Sequence, residues 1–87
     1  MNPLIGRIWD IWTSSPQDEL LVMLDQWREE FLFDDTFQYA IDLMEEAIYA
    51  DDYERVYILF QEFAPVTMSP GDFNLFLDII DESKYAQ

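Results

Sequence analysis

Carboxylates are the side chains of this sequence whose number and spacing could do chemistry. The 87 residues include nineteen Asp and Glu and no His or Cys. A carboxyl pair can act as general acid and base where burial raises the pKa of one member. Carboxylate oxygens are also preferred ligands of Ca²⁺ and Mg²⁺. The acids are densest between Asp34 and Glu54, where eight of them occur without a base.

Their pattern argues against catalysis and against a metal centre. Most acids fall on the predicted solvent sides of helices, and a nucleophile that depends on His or Cys cannot be built. Gly6 and Gly71 stand alone, so the sequence has no phosphate-binding loop. The acid pairs at 34–35 and 51–52 lack the ligand pattern of a calcium loop and favour helix capping. We therefore expect no enzyme, no metal site and no cofactor.

Helices are the elements that must position these acids. Apolar residues between 37 and 48 recur at the i, i+4, i+7, i+11 spacing of one helical face, and Asp42, Glu45 and Glu46 fall on the opposite side. The apolar stripe consists of Phe37, Ala40, Ile41, Met44, Ala47 and Ile48. This stretch predicts a helix with one apolar face and one anionic face.

Two segments share the same signal for the start of a helix. Ser15-Pro16-Gln17-Asp18 and Ser69-Pro70-Gly71-Asp72 both combine a capping box with proline in the first turn. They predict helices that run from residue 16 to about 31 and from residue 70 to about 82. Residues 83–87 are expected to form a fraying tail.

Acidic caps begin the two helices between these segments. Asp34 or Asp35 is expected to cap the central helix, with Gln38 completing a capping box if Asp35 is the cap. Asp51 is expected to cap the following helix, which Pro65 ends.

A further short helix is predicted over residues 3–12. No segment alternates as a half-buried strand does. The fold class is therefore all-α, a compact single-domain bundle of four to five short helices spanning residues 1–87.

Apolar residues outnumber the positions that the helical stripes provide. Trp9, Trp12 and Trp27 occur at helical spacing and are predicted to be core residues. For the apolar residues off the main stripes, two outcomes are open: some helices are covered on two sides, or part of this group forms a contact surface. The group consists of Leu21, Val22, Leu32, Phe33, Leu43, Ile58, Leu59, Leu75 and Ile79.

The charge of the chain indicates the kind of partner it binds. Nineteen acids and four bases give a formal net charge of −15, whereas a magnitude of about 2–8 keeps a small domain soluble. Almost no base compensates the predicted acidic faces. Such a field repels nucleic acid and anionic membranes, so we expect a basic protein as partner, with neither direct nucleic-acid binding nor a membrane. No secretory signal or membrane span is recognised, and the lack of Cys suits a reducing, cytoplasmic setting.

In size, charge and helical pattern the chain resembles two groups of proteins. One comprises nucleic-acid mimics encoded by phages, including anti-restriction and anti-CRISPR inhibitors, and the other comprises immunity proteins that neutralise nuclease toxins. The resemblance implies an inhibitor that covers the basic DNA- or RNA-binding surface of a nuclease or defence complex. From the residues themselves, the acids expected to contact such a partner are Asp25, Glu29, Asp34, Asp35, Asp42, Glu45, Glu46, Asp51 and Asp52.

A different class of function is the alternative. The chain could be a helical interaction or assembly module that acts through apolar contacts, for example a homodimeric adaptor, a chaperone-like protein or a structural subunit. Leu59, Leu75 and Ile79 would then matter more than the acids. The molecular mass in solution would help to separate the two hypotheses.

Overall fold

The structure, a computed structural model, describes residues 15–85. In that part of the chain the backbone forms four helices and no strand, and the prediction of an all-α bundle is confirmed. The helices are α1 (Pro16–Glu30), α2 (Asp35–Tyr49), α3 (Tyr53–Phe63) and α4 (Pro70–Tyr85). The helix predicted over 3–12, with Trp9 and Trp12, lies outside the described residues.

Both Ser-Pro segments start a helix as predicted. At α1 the amide of Asp18 donates to Ser15 Oγ at 3.2 Å, and the Ser15 amide donates back to the Asp18 carboxylate at 3.5 Å. At α4 the amide of Asp72 donates to Ser69 Oγ at 3.2 Å. These bonds satisfy amide groups that the first turn of a helix leaves without an intrahelical partner.

The caps of α2 and α3 come from one member of each acid pair. Asp34 caps α2 by accepting the amide of Phe37 at 3.0 Å. The prediction that Asp51 caps α3 is wrong, because Asp52 accepts the amide of Arg55 at 3.3 Å. Asp51 instead has a φ of 57°. This left-handed conformation reverses the chain between α2 and α3, and Asp tolerates it better than most residues.

Two glutamines join the ends of α1 and α2. Gln17 Nε2 donates to the carbonyl of Ile48 at 3.0 Å. Gln38 Nε2 donates to the carbonyls of Phe31 at 2.8 Å and Arg28 at 3.2 Å. Each bond links the first turn of one helix to carbonyls at the end of the other, so the helices are antiparallel. The capping-box role of Gln38 was expected only with Asp35 as the cap, and Asp34 is the cap instead.

The helices form a closed ring around the core. Each helix packs on the next one in sequence, and α4 packs on α1. Short connections between such neighbours produce an up-and-down arrangement. The turn at 31–34 and the loop at 64–69 consequently lie at one end of the bundle, and residues 50–52 lie at the other end.

Aromatic rings, one from each helix, fill the end of the core near the 31–34 turn. The ring of Trp27 lies 6.1 Å from Phe37, 5.5 Å from Phe60 and 5.0 Å from Phe76, measured between centroids. Phe60 and Phe76 are 4.4 Å apart. All four side chains are buried, which confirms Trp27 as a core residue. Burying aromatic groups of this size supplies much of the stability of so small a domain.

The ends of α3 and α4 show how far local signals reach. α3 ends at Phe63, and Ala64 takes the extended conformation that the following Pro65 imposes (φ −59°, ψ 133°). The prediction of a fraying tail from residue 83 is wrong for residues 83–85, because α4 continues through them. Ser83 is buried on the core side of α4. Its hydroxyl donates to the carbonyl of Ile79 at 2.9 Å, and this bond replaces the hydrogen bond to water that burial removes. Residues 86–87 lie outside the described part.

Candidate partner-binding face

Acidic side chains cover the surface of the described chain. Every Asp and Glu between residues 15 and 85 is exposed, except Asp34 and Glu45, which are half-buried. Arg28, Arg55 and Lys84 are the bases in the same range. Exposed carboxylates act mainly through their combined field, so their grouping decides what they can bind.

Two rows of acids with the same sequence spacing run along the outer faces of α1 and α2. The rows consist of Asp18, Asp25 and Glu29 on α1 and of Asp35, Asp42 and Glu46 on α2. In each row the acids are separated by seven and then four residues, which is about 10.5 Å and about 6 Å of rise along the helix. Because α1 and α2 are antiparallel neighbours, the two rows lie on adjoining helices. We call the surface that carries both rows the hairpin face.

Arg28 neutralises part of the hairpin face. Its Nη2 lies 2.5 Å from Asp42 Oδ1 and 3.0 Å from Glu45 Oε1, and its Nε donates to the same Glu45 oxygen at 3.2 Å. The hydrogen bond to Asp42 is the main cause that raises the pKa of Arg28 above its ordinary value. The expectation of an uncompensated anionic surface is therefore wrong at Asp42 and Glu45.

The remaining acids of the hairpin face are not paired in this way. Within residues 15–85, no ion pair or side-chain hydrogen bond engages Asp25, Glu29, Asp35 or Glu46. Asp25 and Glu45 line the same shallow groove between α1 and α2. The structure thus groups the predicted residues Asp25, Glu29, Asp35, Asp42, Glu45 and Glu46 on two adjoining helices.

The other three predicted contact residues lie at the ends of α2. Asp34 and Asp52 serve as helix caps. Asp51, at the far end from Asp34, accepts a hydrogen bond from the Tyr53 hydroxyl at 3.3 Å. Burial, followed by the charge of Asp51 and this bond, raises the pKa of Tyr53. The ends of α2 are about 22 Å apart, so Asp51 and Asp52 lie far from the acids beside the 31–34 turn.

Exposed tyrosines accompany the α2 row, and they were not among the residues predicted to contact a partner. Tyr39 is 62% and Tyr49 71% exposed. They follow Asp35 and Glu46 by four and three residues, which places them on the same outer side of the helix. The signal was present as the heptad-like spacing 35, 39, 42, 46, 49. Tyr49 also lines the groove between α1 and α2, together with Leu21 and Val22.

The structure divides the apolar residues that lie off the main stripes. Ile79 is buried in the core, which is the outcome expected where a helix is covered on two sides. Leu21, Leu43 and Leu59 are half-buried. The exposed members are Val22, Leu32, Phe33, Ile58 and Leu75. Leu32 and Phe33 stand apart from the others because they are adjacent in the turn between α1 and α2.

Residues 15–85 lack the features of two other kinds of site. No group of three or more potential metal ligands lies close enough together there to hold an ion. None of the four helices combines the length and hydropathy needed to cross a bilayer.

Comparison of the chain with protein-family models, with curated proteins and with solved structures found no match.

Proposed function

We propose that this chain is a small acidic inhibitor that binds a basic protein through the hairpin face. By occupying that protein's cationic surface, it keeps DNA or RNA away. The observation that carries the proposal is the pair of acidic rows, alike in their sequence spacing, on two adjoining antiparallel helices. A rigid pair of helices holds fixed charges at fixed spacings, as the backbone of a nucleic acid does.

The charge density of the hairpin face can be compared with that of DNA. Each row spans about 16.5 Å of helix, and a duplex of that length carries about ten phosphate charges, at one per about 1.7 Å. The two rows carry six carboxylates, and the charge of Arg28 is offset by Glu45. The face therefore has a little over half of the charge of a duplex, so charge alone would make it the weaker competitor. Contacts other than charge must add to its affinity.

The exposed tyrosines supply contacts of that kind. A Tyr ring stacks on an Arg guanidinium while a neighbouring carboxylate accepts its N–H groups. Tyr39 lies between Asp35 and Asp42 along the outer side of α2, and Tyr49 follows Glu46. A surface on which Tyr alternates with carboxylates is a better match for a groove that contains arginines than a surface of carboxylates alone.

The test compares two double charge reversals with the same chemistry. Asp25→Lys/Glu29→Lys changes the hairpin face, and Asp78→Lys/Glu82→Lys changes an exposed i, i+4 pair on α4 by the same net charge. Wild-type chain retains proteins from a lysate at low salt, a salt gradient elutes them, and duplex DNA or RNA is then added as competitor. We expect a nucleic-acid-binding protein that nucleic acid displaces and that only the hairpin-face variant fails to retain.

Two results would contradict the proposal. One is equal retention by both variants, which would show that only the net charge matters. The other is a retained protein that nucleic acid does not displace. An anti-defence inhibitor and a toxin immunity protein share the same electrostatics, and the identity of the retained protein separates them.

Exposed apolar residues outside the hairpin face support a second candidate function, the assembly module. Ile58 on α3 is 55% and Leu75 on α4 is 50% exposed. Under this alternative the chain forms a stable homodimer that covers these residues and has no affinity for basic proteins. Light scattering of the wild type and of Ile58→Ser/Leu75→Ser distinguishes the inhibitor from the assembly module. An inhibitor is expected to be a monomer as wild type and as variant, whereas an assembly module is expected to be a dimer as wild type.

A further inference from the structure

The turn between α1 and α2 exposes an apolar pair that the fold does not use. Phe33 is 94% and Leu32 is 59% exposed. The preceding aromatic residue, Phe31, behaves differently, since it is half-buried and packs edge-on against Phe37 with centroids 5.5 Å apart. Phe31 therefore supplies the apolar contact that holds the turn to the core. Exposed aromatic side chains of this kind are enriched where proteins bind proteins.

Hydrogen bonds hold the turn in one conformation. The amide of Asp34 donates to the carbonyl of Phe31 at 3.0 Å, and Gln38 Nε2 donates to the same carbonyl at 2.8 Å. The amide of Phe37 donates to Asp34 Oδ1 at 3.0 Å. Phe33 thus projects from a fixed turn between two helices. A preorganised side chain loses less entropy on binding than one on a free loop.

Acids surround the turn and limit what can cover it. Glu29 and Glu30 precede it, Asp34 and Asp35 follow it, and all of them except Asp34 are exposed. A second copy of the chain would bring two such acidic turns together, and an anionic membrane would repel them. Charge complementarity favours a cationic protein. Glu29 and Asp35 also belong to the acidic rows, so the turn is continuous with the hairpin face.

We propose that the Leu32–Phe33 turn is an anchor: Phe33 enters an apolar pocket of the basic partner, and Lys or Arg residues on the pocket rim face the surrounding acids. The inference rests on the proposed function, which places the basic partner against the hairpin face. The contact of Phe33 with the partner would make up for the low charge density of the hairpin face. The acids speed the approach of the partner, and Phe33 slows its departure.

A photocrosslinker tests which molecule covers the turn. The full chain carries p-benzoylphenylalanine in place of Phe33, and a control carries it in place of Leu75, which is exposed on α4. Both are irradiated in lysate at physiological salt. The anchor predicts an adduct from position 33, absent from position 75, to a protein with a strongly basic surface. Asp35→Lys should weaken this adduct, and Glu82→Lys should not.

Other adducts would overturn the anchor. They include a product of twice the mass of the chain, a lipid adduct, a protein without a basic surface, and equal labelling from positions 33 and 75. The absence of any adduct from position 33 has the same consequence.

The protein that the crosslinker identifies is then purified, and the rate at which it dissociates from unlabelled chain is measured. This measurement separates the anchor from the proposed function. Phe33→Ser is expected to raise the dissociation rate at least tenfold, as loss of a buried aromatic anchor does. Leu75→Ser should leave the rate within about twofold, since it lies outside the contact. An unchanged rate for Phe33→Ser refutes the anchor. If the protein binds no DNA or RNA, the proposed function is wrong while the anchor stands.

Discussion

Replacing Arg28 with Met tests the ion pairs that cross the hairpin face. Met keeps much of the apolar stem of the side chain and removes its charge and donors. The matched control is Arg55→Met, because Arg55 is exposed and has no ion pair within the described residues. Both variants remove one positive charge from a chain of net charge −15. Any difference between them therefore reports the pairs with Asp42 and Glu45 and not the net charge.

The expected loss of stability follows from the geometry and exposure of the pairs. Exposed ion pairs contribute about 0.2–1 kcal/mol each, and hydrogen bonds to charged groups in drier sites contribute about 1.5–3 kcal/mol. The side chain of Arg28 is 31% exposed and that of Asp42 63%, so these pairs belong nearer the exposed limit. Removing Arg28 also leaves Asp42 and Glu45 as like charges one turn apart, a repulsion of a few tenths of a kcal/mol. We expect a total loss of about 1–2 kcal/mol for Arg28→Met and less than about 0.5 kcal/mol for Arg55→Met.

Thermal and urea unfolding at two salt concentrations measure this difference. In a domain of this size each kcal/mol lowers the melting temperature by about 4–8 °C. The gap between the two variants should be largest at low salt and should shrink in 1 M NaCl, where the screening length falls to about 3 Å. If the variants unfold together at both salt concentrations, the reasoning fails and Arg28 does not stabilise the α1–α2 pair.

Three further predictions concern the core, the turn and the response to pH. Trp27→Ala removes the ring that contacts three helices and should lower the free energy of unfolding by about 3–5 kcal/mol. Phe33→Ser should change this free energy, measured by urea denaturation, by less than about 0.5 kcal/mol. Comparable losses would contradict the burial of Trp27 and the exposure of Phe33. Gln38→Glu places a carboxylate oxygen against the carbonyl of Phe31 and should lower the free energy of unfolding by about 1–3 kcal/mol, measured by urea denaturation at neutral pH, with an unchanged midpoint counting against this bond. The raised pKa of Tyr53 favours its neutral form in the folded state, so its contribution is present below the ordinary Tyr pKa of about 10 and is lost as the pH rises through the folded value. Wild type should therefore lose more stability than Tyr53→Phe between pH 9 and pH 11, and equal losses would show that Tyr53 titrates alike in both states.

The helix starts were largely predictable, and the exceptions have a common cause. Ser15 and Ser69 cap their helices as expected because a cap acts on an amide only a few residues away. Asp51 was assigned wrongly as a cap, and the bonds of Gln38 to α1 were not predicted. The left-handed backbone at Asp51 depends on how sharply the chain reverses between α2 and α3. The carboxamide of Gln38 bonds to α1, a helix whose position relative to α2 a local pattern does not specify.

The exposed acids of the candidate site could be predicted from the sequence. Their arrangement across two helices and their pairing with Arg28 could not. The spacing of Asp42 and Glu46 placed both on the solvent side of one helix. The pairing of Arg28 with Asp42 and Glu45 was not visible, because these residues lie fourteen and seventeen positions apart in sequence. Nor did the pattern distinguish Phe31 from Phe33, since both are apolar residues in the same turn.

Helices with an apolar side and an acidic side could be predicted from the sequence of this chain, because side-chain periodicity and end capping are local properties of the backbone. Local patterns did not predict which acids pair with a cation, or which apolar residues remain exposed to water. Those outcomes depend on which helix packs beside which. Arg28 reaches across to α2, and Phe33 remains outside the aromatic core that Phe31 joins.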